Sequence, residues 1–225
     1  MKKLLIAGII LLGFNQLKAQ DVITQQQITQ QLDGYHRHDG FYLSMSIGPV
    51  FGNVMVNTKS YGTLNTINMS GTGGVFDFKI GGAIRENLIL HADLISNGIA
   101  GPTIETTRNL STTSVKAPDT FGVGEAMYGV GMTYYVMPSN ILISGTLGLG
   151  KFTLTDTKDT KNNMTTQGGL SLQLKLGKEW WVSKNWGLGV GLTYGTTKVT
   201  NESTGNPTEE LNSNRFGILF NTTFN

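Results

Sequence analysis

The fold is decided between Thr166 and Gly195, where the sequence reads TQGGLSLQLKLGKEWWVSKNWGLGVGLTYG. Leucines alternate with polar residues or glycine from Leu170 to Gly177, and the alternation resumes from Leu188 after a turn at Ser183-Lys184-Asn185. A period of two gives an extended strand one apolar and one polar face. Two such strands around a short turn predict a β-hairpin, and each is long enough to cross a bilayer when tilted.

The same alternation recurs along the chain and predicts six further strands, at about Phe41–Val54, Gly74–Ile84, Leu88–Gly98, Gly122–Met137, Ile141–Thr155 and Ser213–Asn225. Tight turns are predicted at Arg85-Glu86-Asn87 and Pro138-Ser139-Asn140. Long polar loops are predicted at Asn57–Gly73, Ala100–Thr120, Thr157–Thr165 and Asn201–Asn212. Long and short connections that alternate are typical of outer-membrane barrels, and an even strand count brings both termini to the periplasmic side.

The composition suits one β domain of 225 residues, because only 14% of the residues are charged and 30 are glycines. The chain has no cysteine, which excludes disulfides, thiolate catalysis and zinc–thiolate sites. No later segment has about eighteen consecutive apolar residues. A membrane protein of this sequence must therefore be a closed barrel.

The first twenty residues have the pattern of a secretory signal peptide. Lys2 and Lys3 precede an apolar run, Leu4–Phe14, and a cleavage site is predicted between Ala19 and Gln20. Cleavage removes Lys2, Lys3 and Lys18 and leaves 14 basic against 15 acidic residues. The excess of positive charge thus belongs largely to the signal peptide, which argues against nucleic-acid binding.

Three regions follow from these patterns: a signal peptide over residues 1–19, a polar periplasmic leader over 20–40, and a barrel domain over 41–225. The leader is rich in glutamine and ends in His36-Arg37-His38-Asp39. Two histidines at i and i+2 are a weak metal signature without a second cluster, so we favour a polar segment at the membrane boundary and predict no metal or other cofactor.

Aromatic residues fall near the strand ends that the turns assign to the periplasm, where a bilayer interface concentrates them. The predicted interface aromatics are Phe41, Tyr134, Tyr135, Trp180, Trp181, Trp186 and Phe224. A second band toward the outer rim comprises Phe51, Phe76, Phe121, Phe152 and Tyr194.

The polar face of the strands predicts which residues point into the lumen: Asp77, Lys79, His91, Asp93, Glu125, Gln173, Lys175, Glu179 and Arg215. Four acids and three fixed bases nearly cancel, and an eight-stranded interior is only wide enough for side chains to fill it. We therefore favour a structural network of paired charges. The functional alternative is an ion path, or hydrolytic chemistry at Asp77, His91 and Asp93 with Ser44 or Ser46 as the nucleophile.

The signal peptide, the eight amphipathic strands, the run Trp180–Leu188 and a last strand that ends Phe224-Asn225 resemble the small outer-membrane β-barrel proteins of Gram-negative bacteria. In this chain the terminal aromatic is penultimate rather than last. The resemblance covers about Phe41–Asn225. It implies insertion by the outer-membrane assembly machinery and no single activity.

The predicted fold class is all-β: an eight-stranded, antiparallel, up-and-down transmembrane β-barrel with a short polar N-terminal leader. We expect a monomer in the cell outer membrane that contacts its lipid and acts, without enzymatic activity, in a structural or surface-interaction role through its outer loops. Three alternatives stay open: passage of small or apolar solutes, a rim enzyme acting on lipid, and a secreted lipocalin-like barrel with the leucine face inward.

Overall fold

The structure is a computed structural model that describes residues 36–60, 63–109, 111–159, 163–202 and 207–225. Its strands are β1 (Phe41–Ser60), β2 (Thr63–Arg85), β3 (Leu88–Ala100), β4 (Thr103–Arg108), β5 (Ser111–Lys116), β6 (Phe121–Val136), β7 (Ile141–Asp156), β8 (Met164–Thr165), β9 (Gly169–Trp181), β10 (Trp186–Asn201) and β11 (Glu209–Phe224). Within these residues, no helix has the length and hydropathy to cross a membrane. The predicted signal peptide and most of the predicted leader lie outside the described residues.

Eight of these strands form a closed ring in the order β1, β2, β3, β6, β7, β9, β10 and β11, with every neighbouring pair antiparallel. The ring closes because β1 pairs with β11 on its other side, from Leu43 opposite Phe224 to Thr58 opposite Glu209. The predicted eight-stranded, up-and-down, antiparallel barrel is confirmed. Closure leaves no open edge in the ring itself.

Short turns join the strands at the end that carries Phe41 and Asn225, which is called the turn end below. Asn87 and Asn140 occupy two of these turns with φ of 65° and 53°. Asparagine tolerates this left-handed conformation better than most side chains. The Trp181–Trp186 turn is closed by a bond from the Val182 amide to the Trp186 carbonyl at 2.9 Å.

The opposite, loop end contains more strand than predicted. The sequence predicts a loop over Asn57–Gly73, but β1 continues to Ser60 and β2 begins at Thr63. The predicted loop Ala100–Thr120 contains a hairpin, β4 and β5, that extends the wall beside β2. These segments are mostly polar and rich in threonine, a good strand former, and their few apolar residues, such as Met69 and Ile104, were too few to show the strand pattern in the sequence.

The outer surface of the barrel is apolar, and the polar residues that alternate with it along the strands point inward. The outward leucines of β9 and β10, among them Leu174, Leu176 and Leu192, are exposed, whereas Gln173 and Lys175 of β9 are buried. Other exposed, outward apolar residues surround the ring: Ile47, Phe51, Tyr128, Val130, Ile143, Leu147, Leu149, Leu188, Phe216, Ile218 and Phe220. The lipocalin-like alternative, which needs the leucine face inside, is therefore wrong.

Candidate functional site in the barrel lumen

The lumen is filled by apolar layers that alternate with polar clusters. Strand β3 shows the order from the turn end, with inward residues Ile89, His91, Asp93, Ile95, Asn97 and Ile99. Its three isoleucines belong to three buried apolar groups. The turn-end layer is Tyr42, Ile89, Tyr135 and Leu142; the middle layer is Val50, Val75, Ile95, Met127 and Leu219; the loop-end layer is Val54, Met69, Ile99, Val123, Phe152, Val199 and Leu211.

The structure places all nine predicted lumen residues inside the barrel, each at most 5% exposed: Asp77, Lys79, His91, Asp93, Glu125, Gln173, Lys175, Glu179 and Arg215. They do not form one network. Seven of them lie on the turn side of the middle layer or at the turn end, and Glu125 and Arg215 lie on its loop side.

Lys79 is the centre of the middle polar cluster. Its Nζ lies 3.1 Å from Asp77 Oδ1 and 2.5 Å from Asp93 Oδ2. The register explains the contact, because Lys79 of β2 is directly opposite Asp93 of β3 and Asp77 lies one alternation along the same face. Thr146 Oγ1 donates to Asp93 Oδ2 at 2.6 Å, and Gln173 Nε2 donates to Asp77 Oδ2 at 3.3 Å.

Lys175 reaches the middle polar cluster from the opposite wall of the barrel. Its Nζ donates to Ser46 Oγ at 2.8 Å, and no carboxylate of the described residues lies within ion-pair distance of it. With Lys79 and the two aspartates, Lys175 makes two bases against two acids. The cluster is therefore neutral as a whole although one of its bases is not directly paired.

The cluster on the loop side of the middle layer is built on an ion pair between Arg215 and Glu125. Ser213 Oγ donates to Glu125 Oε2 at 2.9 Å, and the Thr197 hydroxyl donates to Glu125 Oε1. The two carboxylate oxygens of Glu125 thus accept from three donors, Arg215, Ser213 and Thr197, and these bonds offset the cost of burying its charge.

Glu179 lies at the turn end and takes its partners from uncharged groups. Tyr135, Asn221 and Thr223 donate to Glu179 Oε1 at 3.2, 2.6 and 2.8 Å. Sequence reasoning missed these partners, because the alternation identifies the face of a residue but not the register that selects its neighbour.

His91 is not part of a catalytic arrangement in the described residues. Its Nε2 lies 3.0 Å from Thr133 Oγ1, and Thr133 donates in turn to Ser144 at 2.8 Å. Ser46 is bonded to Lys175, and Ser44 Oγ lies 3.3 Å from Thr223 Oγ1, with Ser44 as the donor because the Thr223 proton is given to Glu179. The serines proposed as nucleophiles are thus used elsewhere. No group of three metal-ligating side chains occurs among the residues described.

The turn end of the lumen is closed by residues 36–40, called the N-terminal strap below. His38 is fully buried. Its ring stacks on Tyr135 with centroids 3.4 Å apart, and its Nε2 bonds to Asn140 Oδ1 at 2.8 Å. The His38 carbonyl accepts from the Asn87 amide at 2.9 Å. Burial lowers the pKa of His38 below its ordinary value of 6.5. The predicted leader is therefore part of the barrel from His36 onward.

Two of the seven predicted interface aromatics point inward instead. Tyr135 is buried beside His38, and the Trp181 ring lies 4.9 Å from the His38 ring. The physical reason is the strand alternation itself, because Tyr135 follows Tyr134 and Trp181 follows Trp180, and neighbours on a strand face opposite sides. Phe152 of the predicted outer band also points inward, into the loop-end layer.

The other five form an outward aromatic rim at the turn end: Phe41, Tyr134, Trp180, Trp186 and Phe224. The Phe224 ring contacts Trp186 at 5.3 Å and Phe41 at 6.3 Å between centroids. A closed ring with an apolar outer belt and an aromatic rim at its boundary requires a hydrocarbon surrounding. The chain is a transmembrane β-barrel of the outer-membrane type. Its predicted place in the outer membrane agrees with this geometry.

No protein-family description matches the barrel, and no curated protein matches it. Solved structures do resemble it. Neisserial surface protein A is 15% identical, with 82% of this chain and 96% of that one covered and a TM-score of 0.47. The outer membrane protein OprG from Pseudomonas aeruginosa is 15% identical, with 83% and 97% covered and a TM-score of 0.49. Ail, the attachment invasion locus protein of Yersinia pestis, is 12% identical, with 81% and 99% covered and a TM-score of 0.36. No residue role carries over at such identities.

The loop end of the barrel is a tall, polar wall on the side of β1 and β2. Hydrogen bonds between side chains cross its strands, from Asn53 to Asn68 at 2.8 Å and from Thr66 to Asn57 at 2.9 Å. Strand β4 pairs with β2 from Ser70 to Asn65, and β5 forms the outer edge of this wall. The wall is a surface built from paired strands beyond the apolar belt.

Proposed function

We propose that the barrel is a non-conducting, non-enzymatic outer-membrane protein that acts through its loop-end surface in a structural or interaction role. The observation that carries this proposal is the filled lumen. Three buried apolar layers and the polar clusters between them cross the interior from the loop end to the N-terminal strap.

Ion conduction needs a continuous aqueous path, and the apolar layers interrupt one. The cavity beside Glu125 and Arg215 has a volume of about 10 Å³, which is room for roughly one water molecule. Eight strands also enclose an interior that side chains can fill completely, unlike the wider barrels of porins.

The loop-end wall supports an interaction role. Strands and paired asparagines hold its polar side chains in place, and binding residues concentrate on segments that a rigid scaffold positions. The Nε2 of His91 is bonded to the Thr133 hydroxyl and not to a carboxylate of the described residues, which argues against the hydrolytic alternative.

The proposal is tested by single-channel recording of the purified barrel in planar bilayers. We expect no steady conductance. A matched variant, Met127→Ala with Leu219→Ala, removes two side chains of the middle layer and serves as the control that a breached lumen is detectable. Large, stable conductance steps from the unmodified barrel would contradict the proposal and favour passage of small solutes.

The loop-end layer favours a second function, passage of apolar solutes. Its residues, Phe152 among them, make the loop-side entrance of the lumen apolar. Liposomes that contain the barrel and are loaded with an apolar-dye sensor test this function. We expect the dye to enter at the rate of protein-free liposomes, and faster entry that is lost on Ile99→Arg would establish the second function instead.

A further inference from the structure

Two lysines point outward from the barrel at the loop-side boundary of the apolar belt. Lys151 of β7 follows the outward Leu149 by one alternation, and Lys198 of β10 is directly opposite Leu170 of β9. Leu149 and Leu170 are both more than 60% exposed, and both lysines are exposed. The two ammonium groups therefore lie at the level where hydrocarbon gives way to lipid headgroups.

The lysines are close enough to act on one ligand. Strands β7 and β10 are both neighbours of β9, and Lys198 lies in the row of Leu170 and Leu149, so Lys151 is two strand spacings across and two residues along from it, or ~12 Å between backbones. Lysine side chains can span this gap from both sides. The residue on β9's side of Lys151 is Gly168, where a Cβ would lie 3.7 Å from Lys151 Cε. Gly168 has no side chain to cover Lys151 there, and Leu170 is the β9 residue next to Lys198.

Neither lysine is neutralised by a residue that the structure describes. Among the described residues, no carboxylate lies within ion-pair distance of Lys151 or Lys198. The acid on the same outward face, Glu210 of β11, is opposite Thr200 and so lies one alternation beyond Lys198, away from the belt. Two unpaired cations at a membrane boundary attract anionic headgroups.

We propose that Lys151 and Lys198 form a binding site for the phosphate of an anionic lipid in the outer leaflet. Lipid phosphates are the anions present at this level, and an ammonium group binds phosphate as a point charge. The leucines below the site provide the surface along which the acyl chains of the same lipid lie. The site rests on the orientation of the barrel in the membrane and not on the proposed role of the loop-end wall.

The expected contribution is measurable. A lysine near an anionic membrane surface gains about fivefold in lipid affinity, so the pair should gain about 25-fold. The attraction should weaken as salt is raised, because the site is exposed.

The test uses the folded barrel in detergent, titrated with bisphosphorylated lipid A and, separately, with lipid A that lacks both phosphates; bound lipid is counted by native mass spectrometry. We expect the phosphorylated form to bind about 25-fold tighter. Lys151→Gln with Lys198→Gln should abolish this preference, and arginine at both positions should restore it. Lys116→Gln, an exposed lysine on β5 that removes the same charge, should leave it unchanged.

Three results would overturn the assignment. Equal binding of the two lipids by the unmodified barrel would remove the role of phosphate. An unchanged preference in the double glutamine variant would place the site elsewhere. Displacement of the lipid by inorganic phosphate at the same concentration would show that the acyl chains contribute nothing. Since all the substitutions are on the surface, heat-dependent gel mobility should confirm that each variant folds.

Discussion

Replacing Lys79 with methionine should destabilise the barrel more than any other single charge removal in the middle cluster. Lys79 is in contact with two buried carboxylates, at 2.5 and 3.1 Å, and methionine keeps its length and volume while removing the charge. The change leaves Asp77 and Asp93 next to each other, with Lys175 as the one remaining base of the middle polar cluster. Breaking a buried ion pair from one side costs about 3–5 kcal/mol, because the remaining charge is uncompensated.

Removing one acid as well should recover part of this loss. In the double variant Lys79→Met with Asp93→Asn, the middle polar cluster keeps one acid, Asp77, and one base, Lys175, so its net charge returns to zero. Lys175→Met alone should cost less than Lys79→Met, since the Lys175 ammonium is bonded to the Ser46 hydroxyl and contacts no carboxylate of the described residues.

Equilibrium unfolding in urea, with the barrel in lipid vesicles and tryptophan fluorescence as the signal, gives the free energy of unfolding of each variant. The control is Lys184→Met, which removes the same charge from an exposed turn and should change the stability by less than about 0.5 kcal/mol. The reasoning fails if Lys79→Met is as stable as the control, or if the Asp93→Asn partner brings no recovery.

Three further outcomes are expected. Leu172→Arg puts a charge on the lipid face and should cost about 2–4 kcal/mol near the bilayer midplane, and a cysteine at the same position should resist a water-soluble thiol reagent in intact membranes. Gly73→Ala should destabilise the barrel by about 1–3 kcal/mol, because its Cβ would lie 1.9 Å from a backbone carbonyl oxygen; Gly74→Ala, with nothing within 4 Å, should be neutral. Docking of the N-terminal strap should weaken as the pH falls below about 6.5, since burial depresses the pKa of His38 and the undocked imidazole binds the proton more readily. Acrylamide quenching of Trp181, in a protein with the other two tryptophans replaced by phenylalanine, should rise on acidification, and a His38→Gln protein that still shows the rise would exclude this histidine as its cause.

Strand alternation alone predicts which side chains enter the lumen, because the side-chain period of two is set by the backbone and needs no knowledge of the neighbours. Lys79 and Arg215 illustrate this: each was assigned to the interior from its own strand. Their partners could not be predicted, since Asp93 and Glu125 meet them only through the register and across the lumen.

Residue composition predicted strands and side-chain orientation less well than the period of the sequence pattern did. Polarity suggested loops at the loop end, yet above a bilayer both faces of a strand are hydrated, so polar residues and strand structure are compatible there. Aromatic content suggested an interface role for Tyr135 and Trp181, although their own alternation places them inside. The N-terminal strap carries no period at all, and its position depends on a pocket for His38 that only the folded barrel creates.

The pairing of β1 with β11 also determines at what stage the barrel can close in the membrane. The strand that completes the ring, β11, is the eighth ring strand in chain order, and its pairs with β1 extend to Phe224. Until those residues leave the ribosome, β1 has no partner on one side, and a chain that lacks them would carry an unsatisfied strand edge into lipid. The ring can therefore close in the membrane only after β11 has been synthesised.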